Sequence, residues 1–305
     1  MTPPTFTPGI HHDLPADEYH AANGVSNSQL KHLNPPARFP VAMATKTEPT
    51  PFMRMGTLVH AAILEPDKPF PAITVQPETY PAPATHADVK AGKIAAGEPL
   101  KWSNNAKWCK GWYAAQKAAG QDVMSTYEFE VLRGCVKALS EDVESWKCLG
   151  DERCKTEVSV FAPLTLPSGR QLTRRMRLDC INPPNIYDIK VVQEGVGARE
   201  AFEKIAYERR YHVQAAYYMD GWNSMAEPDK QVQNFIFFVV EREAPFLVSA
   251  FFVPLNCELY EVGRAQYIQD LETFMDCKES GVWPGYPAGF QPLGLPGWVK
   301  RKINL

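Results

Sequence analysis

No stretch of this 305-residue chain approaches the roughly 18 consecutive apolar residues that a membrane-spanning helix needs, so no membrane partner is expected. Residues 1–13 hold no basic segment followed by an apolar run, so no secretory leader is expected there. The seven cysteines are odd in number and scattered, with no Cys-x-x-Cys pair. That spacing argues against a zinc site and a disulfide framework, and a reducing cytoplasm suits it best. An excess of basic charge is also missing. With a net charge of −3, any nucleic acid must be held by a local patch of cations, not by the molecule as a whole.

Proline is plentiful, 27 residues, clustered at Thr2–Pro8, Asn34–Pro51, Pro66–Pro83 and Trp283–Pro296, where loops are expected. The Pro- and Ala-rich stretch from Pro69 to Pro99 suggests a surface insertion or part of a lobe. Hydrophobic residues make up 45% and charged residues 22%, enough for a substantial core in one large domain or two small ones. No internal repeat is present.

Ser26 with Gln29 forms a capping box that opens a short helix. Met55–Leu64 is an apolar helix with one imidazole, His60, and Asn104–Ala119 and Ser125–Leu149 suggest longer helices. The pattern then changes to period 2. Glu157–Phe161, Leu172–Ile181 and Ile186–Val192 are expected strands, the last two joined as a hairpin by Asn182-Pro183-Pro184-Asn185. Helices over Ala198–Arg209 and Tyr211–Met225, strands over Gln231–Val240 and Phe246–Val253, and a long helix over Glu258–Lys278 complete the chain. The order implies an α/β fold with a central mixed sheet flanked by helices.

Alternation along the first hairpin strand puts Leu172, Arg174, Met176 and Leu178 on one face and Thr173, Arg175, Arg177 and Asp179 on the other. In the second strand Asp188 and Lys190 share a face, and pairing can bring Asp179 beside them. Two carboxylates on neighbouring strands offer the hard oxygen donors that Mg²⁺ prefers, and a lysine beside them can orient water and offset phosphate charge. A surface hairpin with a modest salt bridge would carry the same letters. The placement of Asp188 and Lys190 inside an apolar run favours function, because a buried charge without a purpose costs several kcal/mol. Gln214 and Tyr218 lie four apart on one helix face, either as a solvated amide and a core aromatic or as a polar pair that touches phosphate or brackets the lysine. His60 is either a satisfied core histidine or a ligand.

Together, and in this order, these segments resemble the RecE-type exonucleases (exodeoxyribonuclease VIII), a RecB-like branch of the PD-(D/E)xK nucleases. The resemblance runs through Gly9-Ile10, Asp17-Glu18-Tyr19-His20, Gly24-Val25-Ser26-Asn27-Ser28-Gln29-Leu30, Gly56-Thr57-Leu58-Val59-His60 and Leu64-Glu65-Pro66. It continues in Thr156-Glu157-Val158-Ser159-Val160, Arg177-Leu178-Asp179, Tyr187-Asp188-Ile189-Lys190, Tyr211-His212-Val213-Gln214 and Leu293-Gly294-Leu295-Pro296-Gly297-Trp298. It implies a restriction-endonuclease-like core in a single domain over 1–305. Residues 1–150 would be mainly helical with a Pro-rich insertion at about 66–100, and 151–305 would carry the catalytic sheet.

The resemblance assigns His60, Asp179, Asp188 and the Ile189 carbonyl to a metal ion, with Glu157 for a second ion. Lys190 becomes the catalytic lysine, and Gln214 and Tyr218 match a Gln-x-x-x-Tyr motif. The ion implied is Mg²⁺, with Mn²⁺ able to replace it. An iron–sulfur cluster is not expected, since only Cys257 and Cys277 follow Gln214. Leu178 stands where a proline often precedes the first acid. The activity implied is 5′-to-3′ digestion of linear duplex DNA to 3′ single-stranded tails, which a RecT-type annealing protein uses in recombination. The setting implied is a bacterial cytoplasm, with a phage or prophage origin and no large N-terminal extension. A ring-shaped homo-oligomer would concentrate cations in its channel, with Arg174, Arg175, Arg177, Arg209, Arg210, Lys300, Arg301 and Lys302 as candidates. Ser26 and Ser28 are candidates for holding a 5′-phosphate. The alternatives are an inactive DNA-binding protein of the same fold and an endonuclease.

Overall fold

The computed structural model describes residues 4–45, 49–68 and 70–295. The first elements are β1 (Gly9–His11), α1 (Ala16–Ala21), β2 (Val25–Ser26) and the single-turn α2 (Asn27–Leu30). After a 3-10 turn come α3 (Arg38–Ala44) and α4 (Pro51–Leu64). Helix α4 begins before the apolar run that announces it. Thr50 accepts a hydrogen bond from Met53 N at 3.2 Å, and Pro51 suits a first turn whose N–H groups lack partners.

A small lobe follows, made of β3 (Ile73–Val75), β4 (Thr79–Pro81), α5 (Ala87–Lys90), β5 (Pro99–Lys101), α6 (Lys107–Ala118) and β6 (Asp122–Met124). β3 pairs in parallel with β6, and β4 pairs antiparallel with β5, so two short ladders knit the proline-rich stretch together. The single helix expected over Ser125–Leu149 is in fact two, α7 (Thr126–Glu141) and α8 (Val143–Leu149). Asp142 leaves the helical region between them and caps the second by accepting from Ser145 N at 2.9 Å.

The rest of the chain supplies β7 (Lys155–Thr165), β8 (Gln171–Asn182), β9 (Asn185–Val192), α9 (Arg199–Glu208), α10 (Tyr211–Asn223), β10 (Asn234–Glu241), β11 (Val248–Pro254) and α11 (Glu258–Ser280). The central sheet has the order β1-β7-β8-β9-β10-β11, with β2 added to β8. Its ladders are antiparallel except β9–β10 and β2–β8, so the sheet is mixed, as the switch in period implied.

Each face of the sheet buries its own apolar layer. On one, Met176, Leu178, Ile186, Phe235 and Phe237 meet Val213, Ala216 and Tyr217 of α10 and Tyr267 and Leu271 of α11. On the other, Tyr187, Ile189, Val191 and Phe238 meet Val59 and Ile63 of α4 and Leu132 and Leu139 of α7. Because β9 alternates, Asp188 and Lys190 are directed to the α10 side. Helix α11 approaches α10 so closely at Gly263 that a Cβ there would lie 2.3 Å from the His212 carbonyl oxygen. No described helix is long and apolar enough to cross a membrane.

Candidate active site

The site begins as a gap in the sheet. β8 and β9 pair only next to their turn, at Cys180–Tyr187, Ile181–Ile186 and Asn182–Asn185. From there β9 follows β10 along its whole length, while the same edge of β8 next pairs with β2 at Arg174 and Arg175. Among the described residues, Met176 to Asp179 therefore have no ladder partner on that edge. Asp179 stands at the mouth of this fork. Across β8's other edge, Glu157 falls in register opposite Asp179, between the pairs Thr156–Cys180 and Val158–Leu178. Glu157 has φ of 54°, a left-handed conformation that costs a non-glycine residue about 1–3 kcal/mol and interrupts the β7 ladder beside the site.

From the β9 side come Asp188, only 2% exposed, and Lys190, whose Nζ lies 2.5 Å from Asp188 Oδ2. Gln214 on α10 joins both. Its Nε2 donates to Asp188 Oδ1 at 2.6 Å, and its Oε1 accepts from Lys190 Nζ at 3.3 Å. The lysine ammonium also sits 4.8 Å from the centre of the Tyr211 ring. Burial alone would lower the Lys190 pKa, but the Asp188 and Asp179 carboxylates outweigh it and hold the value above the ordinary one. The lysine is therefore an ammonium. Asp188 Oδ2 is buried with no hydrogen-bond partner of good geometry; its compensation is the ion pair with Lys190.

His60 closes the fork from the α4 side. Its Nε2 lies 2.7 Å from the Ile189 carbonyl oxygen, and its Nδ1 lies 3.2 Å from Asp179 Oδ2. A carbonyl can only accept, so Nε2 carries a proton and the Nδ1–Asp179 contact holds another. Neither ring nitrogen offers a free lone pair in this arrangement, and the imidazole links two candidate ligands. Burial raises Asp179 to about 7; His60 opposes the rise and Asp188 adds to it.

Residues 164–290 match the family described as "PDDEXK-like domain of unknown function (DUF3799)", a span that holds Asp179, Asp188, Lys190, Gln214 and Tyr218 but not His60 or Glu157. A crystal structure from Eubacterium rectale, named "Putative exonuclease", is similar over 93% of this chain and 97% of that one, with a TM-score of 0.57 and 10% identity. The structure of SSO0001 overlaps 54% of this chain and 67% of its own at 13% identity, and its TM-score of 0.29 is too low to inform the fold. No curated protein matches the chain. The chain has a PD-(D/E)xK nuclease-like fold.

Within the PD-(D/E)xK fold, the other expected site residues take varied positions. Tyr218 follows Gln214 by one helical turn and is half-buried, its ring edge-on to Phe235 at 6.1 Å. Burial raises its hydroxyl pKa well above the ordinary value, so it stays a neutral phenol. Glu157 is ion-paired to Arg177, which also donates to Leu14 O and Ser159 Oγ. Arg174 and Arg175, expected to line a DNA channel, are instead buried. Arg174 lies beside the Tyr217 and Tyr267 rings, and Arg175 donates to the backbone carbonyls of Tyr19 and His20. Arg210 pairs with Asp270, whereas Arg209 is exposed.

The Ser26 cap is real but self-contained. Its N–H donates to Gln29 Oε1 at 2.8 Å, its Oγ lies 3.0 Å from Ser28 Oγ, and Ser26 is buried. Lys300, Arg301, Lys302 and the Pro296-Gly297-Trp298 part of the last motif lie outside the described residues. The residue not given a role from sequence is Tyr211. It stands three before Gln214, on the same helix face, and that spacing was the available signal.

The donor set fits a hard divalent cation in kind: two carboxylates and a main-chain carbonyl at one fork, with an imidazole hydrogen-bonded to two of them. An Asp179 pushed up by burial and by a second carboxylate marks negative charge that a cation would relieve. Among the described residues no three His, Cys, Asp or Glu side chains already stand as a closed cage.

Proposed function

We propose that this chain is a metal-dependent exodeoxyribonuclease that digests linear double-stranded DNA from its ends, 5′ to 3′, leaving 3′ single-stranded tails for homologous recombination. The observation that carries the reading is Gln214 bonded to both Asp188 and Lys190 beside the open fork that holds Asp179. Asp179, Asp188 and the Ile189 carbonyl would hold Mg²⁺, or Mn²⁺ in its place, with His60 joining once a ring nitrogen is freed of its proton and present partner, and Glu157 only if it leaves Arg177. A bound ion of this kind supplies positive charge to phosphate oxygens and makes a water more acidic.

The chain's own groups do the remaining work. Lys190, held as an ammonium by two carboxylates, attracts a phosphate oxygen and orients the attacking water; it is not poised to take the water's proton. Gln214 fixes the separation of Asp188 and Lys190. The Tyr211 ring covers the ammonium on one side and keeps water from it. The motif resemblance supports the wider setting: a RecT-type annealing protein as partner, a ring-shaped homo-oligomer around DNA, and a phage or prophage origin in a bacterial cytoplasm.

Linear duplexes labelled at the 5′ or the 3′ end, incubated with and without Mg²⁺, test the reading. Release of the 5′ label first, only with the metal, and none by folded Lys190→Ala or Asp188→Ala protein, is expected. Digestion that survives either change in a folded protein overturns the site. Cutting of covalently closed circles would make the chain an endonuclease, and retention of DNA without cutting would make it a binding protein.

A further inference from the structure

The lobe between α4 and α7 carries chemistry that the fork does not use. Around β4, α5 and α6 lies a cleft of about 940 Å³ walled by Tyr80, His86, Lys107, Trp108 and Trp112. Trp108 lies over Tyr80 with centroids 6.1 Å apart and planes 23° apart, and Trp102 meets Trp108 and Trp112 edge-on at 6.2 and 5.3 Å. Although its ring is large and apolar, Trp108 stays 40% exposed.

The charge of this lobe runs opposite to that of the chain. From Ile73 to Met124 the lobe holds six lysines against Glu78, Asp88, Glu98 and Asp122, a net charge of +2 inside a chain of −3, which leaves −5 for the rest. Among the described residues only Lys93 of the six meets a carboxylate, Asp88 at 3.6 Å. The others, Lys107 and Lys110 on α6 among them, are exposed.

Gly111 is the third observation. It lines the cleft between Trp108 and Trp112 on α6, and a Cβ there would meet nothing within 4 Å. Packing does not demand glycine at this position, and glycine weakens a helix interior. Its missing side chain leaves that part of the cleft wall open.

An open cleft walled by aromatic rings, with unpaired cations alongside, is what stacked bases and their phosphates require. A proline-rich peptide would use the aromatic rings but gain nothing from the lysines. We propose that this lobe binds single-stranded DNA, with bases stacked in the Trp108–Trp112 cleft and phosphates on Lys107 and Lys110. Resting on the nuclease reading, the strand it takes is the tail that digestion leaves.

The test uses the full chain in EDTA with a fluorescein-labelled oligothymidylate, followed by anisotropy and by quenching of tryptophan fluorescence. Saturable binding is expected, weakened at least about tenfold by Trp108→Ala. Lys107→Ala with Lys110→Ala should reduce the slope of log affinity against log salt by about 1.4. Gly111→Leu should fill the cleft and abolish binding without lowering Tm, which separates loss of the site from loss of the fold. No binding by the unaltered chain, equal binding by Gly111→Leu, or an oligoproline that quenches the tryptophans where the oligothymidylate does not, overturns the proposal. Because metal is absent, the two readings fail separately. Digestion that survives Lys190→Ala sinks the nuclease site and leaves the oligothymidylate result standing, whereas normal digestion with binding untouched by Trp108→Ala and Gly111→Leu sinks this proposal alone.

Discussion

Gln214 Nε2 donates to Asp188 Oδ1 at 2.6 Å, which ties helix α10 to strand β9 at the most deeply buried acid of the site. Without this amide, the Asp188–Lys190 pair would keep its charges but lose the group that sets their spacing. Gln214→Ala is therefore expected to lower kcat for duplex digestion by about 10- to 100-fold with little change in KM, since positioning errors act on the reacting geometry. It should also destabilise the protein by about 1–3 kcal/mol, because a buried acceptor loses its donor. Steady-state kinetics and thermal melts on the same preparation check both. A KM effect alone would show that Gln214 only binds DNA.

His60 holds the two arms of the fork through Asp179 and the Ile189 carbonyl. His60→Ala is expected to weaken divalent-ion binding by about 10- to 100-fold, whether the ring ligates the ion or orients the groups that do. Isothermal titration of metal-free protein with Mn²⁺ measures this without reference to activity. Unchanged Mn²⁺ affinity would remove the imidazole from the metal site and leave it as a clasp between α4 and the sheet.

The parts of the site legible in the sequence are those set by short-range rules. Asp188 and Lys190 interrupt an apolar run with period 2, so their shared face follows from strand geometry alone, and the Asn182–Asn185 turn fixes their neighbour. Gln214 was visible as a face of α10 but not as the bridge, since that depends on how α10 crosses the sheet. Arg174 and Arg175 show where local reasoning stops. Alternation puts them on opposite faces, and they do diverge, but each is buried by a distant segment, Tyr217 and Tyr267 for one and α1 for the other. No pattern in β8 announces those covers. The break at Asp142 was missed, because helical character on either side runs across the residue whose side chain caps α8.

Asp179 also gives stability a pH dependence. Burial lifts its carboxyl to about 7 from an ordinary 3.8, and Asp270, lifted by burial to about 6 against the pull of Arg210, behaves alike. A carboxyl whose folded value exceeds its unfolded one favours folding while protonated. That contribution is full below the unfolded value and is lost as pH rises through the folded one. Metal-free protein should therefore lose thermal stability between about pH 4 and 7, and Asp179→Asn should flatten the decline. Melting curves in EDTA at several pH values decide it; an equally steep decline in the variant would assign the effect elsewhere.

Two helical glycines are expected to respond in opposite ways to the same added methyl group. At Gly263 a Cβ would lie 2.3 Å from His212 O and 2.8 Å from its carbonyl carbon, and backbone on another helix cannot turn aside as a side chain can. Gly263→Ala should destabilise by about 1–3 kcal/mol or more through forced separation of α10 and α11. At Gly111 the methyl meets open space, so Gly111→Ala should stabilise by up to about 1 kcal/mol from helix propensity. The first change has a further consequence, because His212 lies two residues before Gln214. A shift of α10 large enough to relieve the clash moves the amide that bridges Asp188 and Lys190, so digestion should slow even at temperatures where Gly263→Ala protein remains folded. Melting temperatures for both variants, with digestion rates measured well below them, separate a packing defect that reaches the site from one that does not.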